Sequence, residues 1–254
     1  MKMYRVLTGS VLLIGLTFSA AHTQPTVSAE IAAAVAAPDR PAADVARDVN
    51  RKPAQLVAFA GLKPGDKVAD IMPGGGYFTR IFSHVVGANG HVYAVVPAEL
   101  AERAPKAKDA IQSVAAIPTY ANVSVDITPT KTMTVAEPLD VAWTSDNYHD
   151  VYGFFGADAA AALDASVFKM LKPGGEFIVI DHVAATGTSD TSPKTLHRID
   201  PETVKQQVVA TGFVYEGSSD VLANPQDSHT ATVFDASIRG KTDQFAMKFR
   251  KPAH

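Results

Sequence analysis

Cysteine is absent from the 254 residues, which removes disulfide frameworks, thiolate metal sites and a lipid-modified cysteine from consideration. An excess of either charge is also missing, since 23 Lys and Arg stand against 26 Asp and Glu, for a formal net charge of -3. With basic residues so scattered, neither nucleic acid nor an anionic membrane surface is expected as the main partner, and a small-molecule ligand is favoured. After residue 21 no uninterrupted apolar stretch approaches the roughly 20 residues that a bilayer crossing takes. No internal repeat is visible, and nothing in the sequence fixes an oligomeric state.

What is present starts with a basic head, Met1-Lys2-Met3-Tyr4-Arg5, followed by an apolar run over residues 6–20. Ser19 and Ala21 supply the small residues that a cut before His22 requires. Residues 1–21 are therefore expected to be a signal peptide, with the mature protein periplasmic or secreted and not stably inserted in a membrane. An exported chain without disulfides must rely on its core. At 46% hydrophobic residues this one can bury a large core within one domain.

Residues 22–52 are rich in Ala and Pro, with Pro25, Pro38 and Pro41 interrupting any long helix, and read as a linker with a short helix near residues 31–36. A folded domain is expected over residues 53–254. Pro53 suits a first helical position, Leu56, Val57 and Phe59 form an apolar face, and Gly61 suits a left-handed cap. Strand and helix signals then alternate, the mark of a parallel sheet covered on both faces. Strands are expected at 67–71, 91–96, 123–127, 139–144 and 176–181, and a closing antiparallel hairpin at 213–218 and 244–250 encloses a long excursion, 222–241, that reads as a surface loop, with a lid over the cleft as the alternative. Helices are expected over 99–117, bent or delayed by Pro105, over 157–171, and after Asp200, with Pro201 in first position.

In such a sheet ligands bind beyond the carboxyl ends of the strands, where strand order reverses. The first strand runs through Asp70 into Met72-Pro73-Gly74-Gly75-Gly76-Tyr77, where glycines let backbone N–H groups approach a ligand and a helix start adds its positive end. The fourth strand delivers Asp146-Asn147-Tyr148-His149-Asp150 to the same edge. His149 is the expected base, since its ordinary pKa lies near neutrality, while Asp146 and Tyr148 are placed to orient an acceptor. His182, after Asp181 at the end of the fifth strand, should project over that edge too.

These residues resemble a known family. Asp70 through Gly76 looks like the first motif of class I S-adenosylmethionine (SAM)-dependent methyltransferases, with Gly74 and Gly76 matching its second and third glycines and Met72 standing where the first would be. Leu171-Lys172-Pro173-Gly174-Gly175 is similar to the turn before their fifth strand. Arg51-Lys52-Pro53, Val179-Ile180-Asp181-His182, Leu196-His197-Arg198 and Phe249-Arg250-Lys251-Pro252 further resemble a group of exported bacterial proteins described as methyltransferases.

The resemblance implies a Rossmann-like α/β fold, with a mostly parallel twisted sheet of about seven strands, helices on both faces and a C-terminal antiparallel hairpin. It implies SAM as cofactor, bound by Asp70, Pro73, Gly74, Gly75, Gly76 and Tyr77, and methyl transfer to a small acceptor served by His149, Asp146, Tyr148 and His182. Where the family carries an acid after its second strand this chain has Val95-Val96-Pro97, so Glu99 is the nearest candidate for the ribose. No metal is required, and no histidine pair stands at ligand spacing. Two alternatives stay open: an enzyme of this fold without SAM, whose His149, His182 and His197 hold zinc or iron with carboxylates, and a binding protein without turnover.

Overall fold

The computed structural model describes residues 26–253, so the expected signal peptide lies outside the described residues. Among them no helix is long and apolar enough to cross a membrane. The segment expected as a linker with one short helix carries three, α1 (Ala29–Val35), α2 (Ala42–Val45) and α3 (Asp48–Arg51), ahead of α4 (Pro53–Ala60). It is packed down, with Ile31 and Ala34 in the core. Arg40, buried, donates to both Asp48 oxygens at 2.8 and 2.7 Å and to the Val35 carbonyl. Asp48 in turn accepts the Tyr77 hydroxyl at 2.5 Å. These contacts reach across the fold and leave no local pattern, which is why a proline-interrupted stretch reads as a linker.

The alternating part follows as β1 (Lys67–Ile71), α5 (Tyr77–Val86), β2 (His91–Pro97), α6 (Ala98–Arg103), α7 (Pro105–Ala115), β3 (Val123–Thr128), β4 (Leu139–Ser145), α8 (Tyr148–Asp150), α9 (Ala157–Met170), β5 (Leu171–His182), α10 (Ser192–Thr195), α11 (Pro201–Ala210), β6 (Val214–Ser219) and β7 (Gln244–Arg250). Pro105 divides the expected 99–117 helix, because it has no N–H to bond back into α6 and is accepted only at the first position of α7. Asp200 caps α11 by accepting the Glu202 N–H at 3.0 Å.

The seven strands form one sheet in the order β3-β2-β1-β4-β5-β7-β6. The first five are parallel, and β7 runs antiparallel between β5 and β6. Alternate strand residues feed two apolar layers. Val68, Val92, Trp143 and Ile178 pack with Leu56, Phe78 and Phe82 on one face, while Ala69, Val95, Phe177 and Phe249 pack with Leu163, Val167 and Val204 on the other. Burial on both faces accounts for the nearly continuous apolar strands.

From β1 the chain builds outward to β2 and β3 and then returns to place β4 on the opposite side. That reversal opens a crevice above the carboxyl ends of β1 and β4.

Candidate functional site

The turn after β1 forms one side of the crevice. Met72, Gly74 and Gly76 adopt positive φ of 57°, 55° and 80°. Met72 thus holds the left-handed backbone for which glycine is better suited. Its side chain is buried with Tyr93 and Val95 and does not cover the neighbouring glycines, because a Cβ built on Gly74 or Gly75 meets nothing within 4 Å. Gly76 N–H bonds the Pro73 carbonyl at 2.9 Å, whereas neither Gly74 nor Gly75 N–H has a backbone acceptor among the described residues. The turn therefore offers exposed N–H groups beside an open space at the start of a ten-residue helix.

Several expected ligand contacts are employed elsewhere. Asp70 is buried beneath the turn and accepts the Thr79 hydroxyl at 2.6 Å. Burial raises its pKa to about 7 against the opposing pull of Thr79 and Arg51. It ties β1 to α5. Tyr77 is likewise buried, its hydroxyl spent on Asp48 and its ring covered by the guanidinium of Arg51 at 4.5 Å. Glu99 accepts both the N–H and the hydroxyl of Thr130, at 3.2 and 2.9 Å, which occupies its carboxylate beside the smaller of the two cavities that flank the turn. Pro73 is half-buried at the head of the turn.

Two cavities flank this point. One, of about 220 Å³, is bounded by Met72, Pro97, Leu100, Thr130, Asn147 and Phe154. The other, of about 570 Å³, opens between the N-terminal segment, Asp146, His182 and the excursion before β7. That excursion, expected as a plain surface loop, walls the larger cavity through Leu222, Phe234 and Thr242. Arg51 crosses from α3 to the end of β4, donating to Ser145 Oγ and Asp146 Oδ2, both at 3.1 Å. Gln244 donates to the other Asp146 oxygen at 2.6 Å. Asp146 is thereby fixed, at a positive φ of 61°.

The residues after β4 divide. Tyr148, expected to orient an acceptor, is fully buried and donates to Asp164 at 2.8 Å on the far side of the sheet, so it cannot reach the rim. His149 is 3% exposed and held by Asp181, which accepts its backbone N–H at 2.7 Å and pairs with Nδ1 at 2.6 Å. Burial disfavours its charge, but Asp181 and Asp150 together raise its pKa to about 10. With a carboxylate at each ring nitrogen, His149 is engaged by the protein itself and is not the free base expected of it. Burial lowers the His182 pKa. His182 lines the larger cavity, with Nδ1 2.8 Å from Thr242 Oγ1 and 3.0 Å from Gln244 Nε2.

Arg51, Asp150, Asp181 and Gln244 were given no site role from the sequence, although the first three stand in segments quoted there. Asp181 pairs across 32 residues, Arg51 across 95 and Gln244 across 98. Only Gln244 lay outside every motif and edge segment read from the sequence.

No protein-family model matches the chain. Over 53 residues, 20% of this chain, it is 45% identical to a protein-L-isoaspartate O-methyltransferase of Ignicoccus hospitalis, and the match spans 25% of that protein's length. Among solved structures, a SAM-dependent methyltransferase from Aquifex aeolicus superposes with a TM-score of 0.57 at 18% identity, over 85% of this chain and 96% of the other. The cyclase SpnF gives 0.58 at 16%, over 84% and 82%. The glycopeptide N-methyltransferase MtfA complexed with SAM gives 0.52 at 13%, over 78% and 86%.

At these identities the likeness defines the architecture. The protein has the Rossmann-like fold of class I SAM-dependent methyltransferases. That fold also serves a cyclase, so the chemistry must be argued from the site.

Proposed function

We propose that the protein binds SAM at the turn after β1 and transfers its methyl group to a small, anionic acceptor. The observation that carries this reading is the bare Gly74-Gly75 backbone: two N–H groups without backbone acceptors, facing open space at the point where strand order reverses. Those groups suit the carboxylate of an amino-acid moiety, and Arg51, over the Tyr77 ring at the start of α5, adds positive charge to the same turn. The adjoining 220 Å³ cavity, walled by Pro97, Leu100 and Phe154, suits a flat purine. When bound, SAM supplies an electrophilic methyl on a sulfonium sulfur. The chain's own residues position the acceptor and shield it. Arg47, Lys52, Arg239 and Lys241 line the larger cavity together with the Arg51–Asp146 pair, an excess of positive charge that favours an acidic molecule. Asp146, clamped from two sides, gives a fixed oxygen for orientation, and His182 lines the same wall.

Export to the periplasm or outside the cell is part of the proposal, resting on the basic head and apolar run of residues 1–21.

The test uses thermal stability of the purified protein with SAM or its demethylated product. Saturating ligand should stabilise by about 2.7 kcal/mol at 100 times Kd. Gly75→Val should abolish the gain: position 75 has no left-handed φ and its Cβ meets nothing within 4 Å, so the branched side chain is accommodated in the fold but occupies the cradle. A gain that survives Gly75→Val, or no gain in the native protein, rejects the reading.

A further inference from the structure

Asp150 Oδ1 is buried and, among the described residues, meets no donor in good hydrogen-bond geometry. It lies 3.2 Å from His149 Nε2 and 3.2 Å from His197 Nδ1, and those two nitrogens are 3.3 Å apart. Three potential donor atoms thus form a nearly equilateral triangle. For metal–ligand bonds of about 2.1 Å, cis ligands lie about 3.0 Å apart in an octahedron and about 3.4 Å apart in a tetrahedron. The observed spacings fall between the two, so one ion just above the triangle would reach all three atoms without rearrangement.

The surroundings fit the same purpose. Asp181, fully buried, pairs with His149 Nδ1 at 2.6 Å, which fixes the ring and directs Nε2 at the triangle. A carboxylate behind a ligating imidazole is the usual support of a metal-bound histidine. His197 adopts a positive φ of 55°, a backbone conformation that His takes more readily than most side chains. A π-helical turn, Val151–Phe155, follows the first two residues of the cluster directly, a feature frequent at functional sites. Asp150 also lines the smaller cavity, and the side chains of Asp150 and His197 are 38% and 25% exposed, so positions opposite the triangle are open to water or a ligand.

We propose that His149 Nε2, Asp150 Oδ1 and His197 Nδ1 bind one divalent transition-metal ion. Two imidazoles and one carboxylate suit zinc or iron(II), and fewer than four protein ligands leave coordination sites for an oxygen ligand. His182, expected to be a member of a three-histidine site, is not part of this one: its ring is turned to Thr242 and Gln244.

Full-length protein stripped of metal and titrated with zinc chloride should take up one equivalent, and cobalt(II) should give a ligand-field spectrum at the same stoichiometry. His197→Asn, chosen because Asn tolerates the left-handed backbone, and Asp150→Asn should each weaken zinc binding at least about tenfold, and Asp181→Asn by about 10- to 100-fold. His229→Asn, which removes a histidine paired with Asp243 while suiting the positive φ of 60° at that position, should leave the affinity unchanged. Circular dichroism establishes that each variant is folded. No saturable uptake up to about 100 μM zinc, or an affinity unaltered in either His197→Asn or Asp150→Asn, overturns the proposal. Gly75→Val should bind zinc like the native protein, so failure of the SAM reading and failure of the metal site are told apart.

Discussion

The Asp181 carboxylate grips His149 at two points, its Oδ1 2.6 Å from ring Nδ1 and its Oδ2 2.7 Å from the backbone nitrogen. Both residues are buried, at 0% and 3% exposure. Removing one member of a buried pair strands the other, at a cost of about 3–5 kcal/mol. Asp181→Ala should therefore lower unfolding free energy by about that amount in urea denaturation. A loss below about 1 kcal/mol would mean that water has access to the pair.

Asp70 predicts a dependence of stability on pH. Burial raises its folded pKa to about 7 from an ordinary 3.8, so between these values the folded state holds a proton that the unfolded state has released. Stability then falls as pH rises from about 4 to about 7, at about 1.4 kcal/mol per unit, and this contribution is level above. Asp70→Asn carries no ionisable group there and should flatten that part of the profile. Urea midpoints measured across the range decide it, and an unchanged slope would contradict the burial argument.

Tyr148 and Asp164 make a second buried pair on the far side of the sheet. The Tyr148 hydroxyl donates to Asp164 Oδ2 at 2.8 Å, and Oδ1 has no partner among the described residues. Burial raises the Asp164 pKa to about 8. Tyr148→Phe removes the donor that supports the ionised acid. Its cost should be about 1 kcal/mol at pH 5, where a neutral hydrogen bond is lost, and larger at pH 9, where a charge is left without support. Equal losses at the two pH values would show that the acid does not titrate in this interval.

Arg198 anchors the wall of the larger cavity. Fully buried, it meets Asp227 through two nitrogens at 2.8 and 3.1 Å and donates to the carbonyls of Ala231 and Val183, both at 3.0 Å. A lysine keeps the charge but not the planar fork. Arg198→Lys should lower stability by about 2–4 kcal/mol and render residues 220–243 sensitive to limited proteolysis. A cleavage pattern identical to that of the native protein would refute this anchoring role.

Local sequence determined the architecture and the position of the turn. The strands at 67–71, 91–96, 123–127 and 139–144 each lie within a residue of the observed limits, because a strand buried on both faces must be apolar along its length, and the intervening breaks are made by glycine, proline and asparagine. The Gly74-Gly75-Gly76 turn was legible for a similar reason: left-handed backbone and close approach demand a residue without Cβ. Tertiary structure alone decided how the side chains at the rim are employed. Tyr148 and His149 are adjacent in sequence, yet helical geometry sends one through to the far core and the other to Asp181. Asp70 became an internal fastener to Thr79, and the half-buried Glu99 is held by Thr130. The triangle of His149, Asp150 and His197 depends on a pair 48 residues apart. No periodicity encodes such distances; they follow from which strand ends the sheet order places side by side.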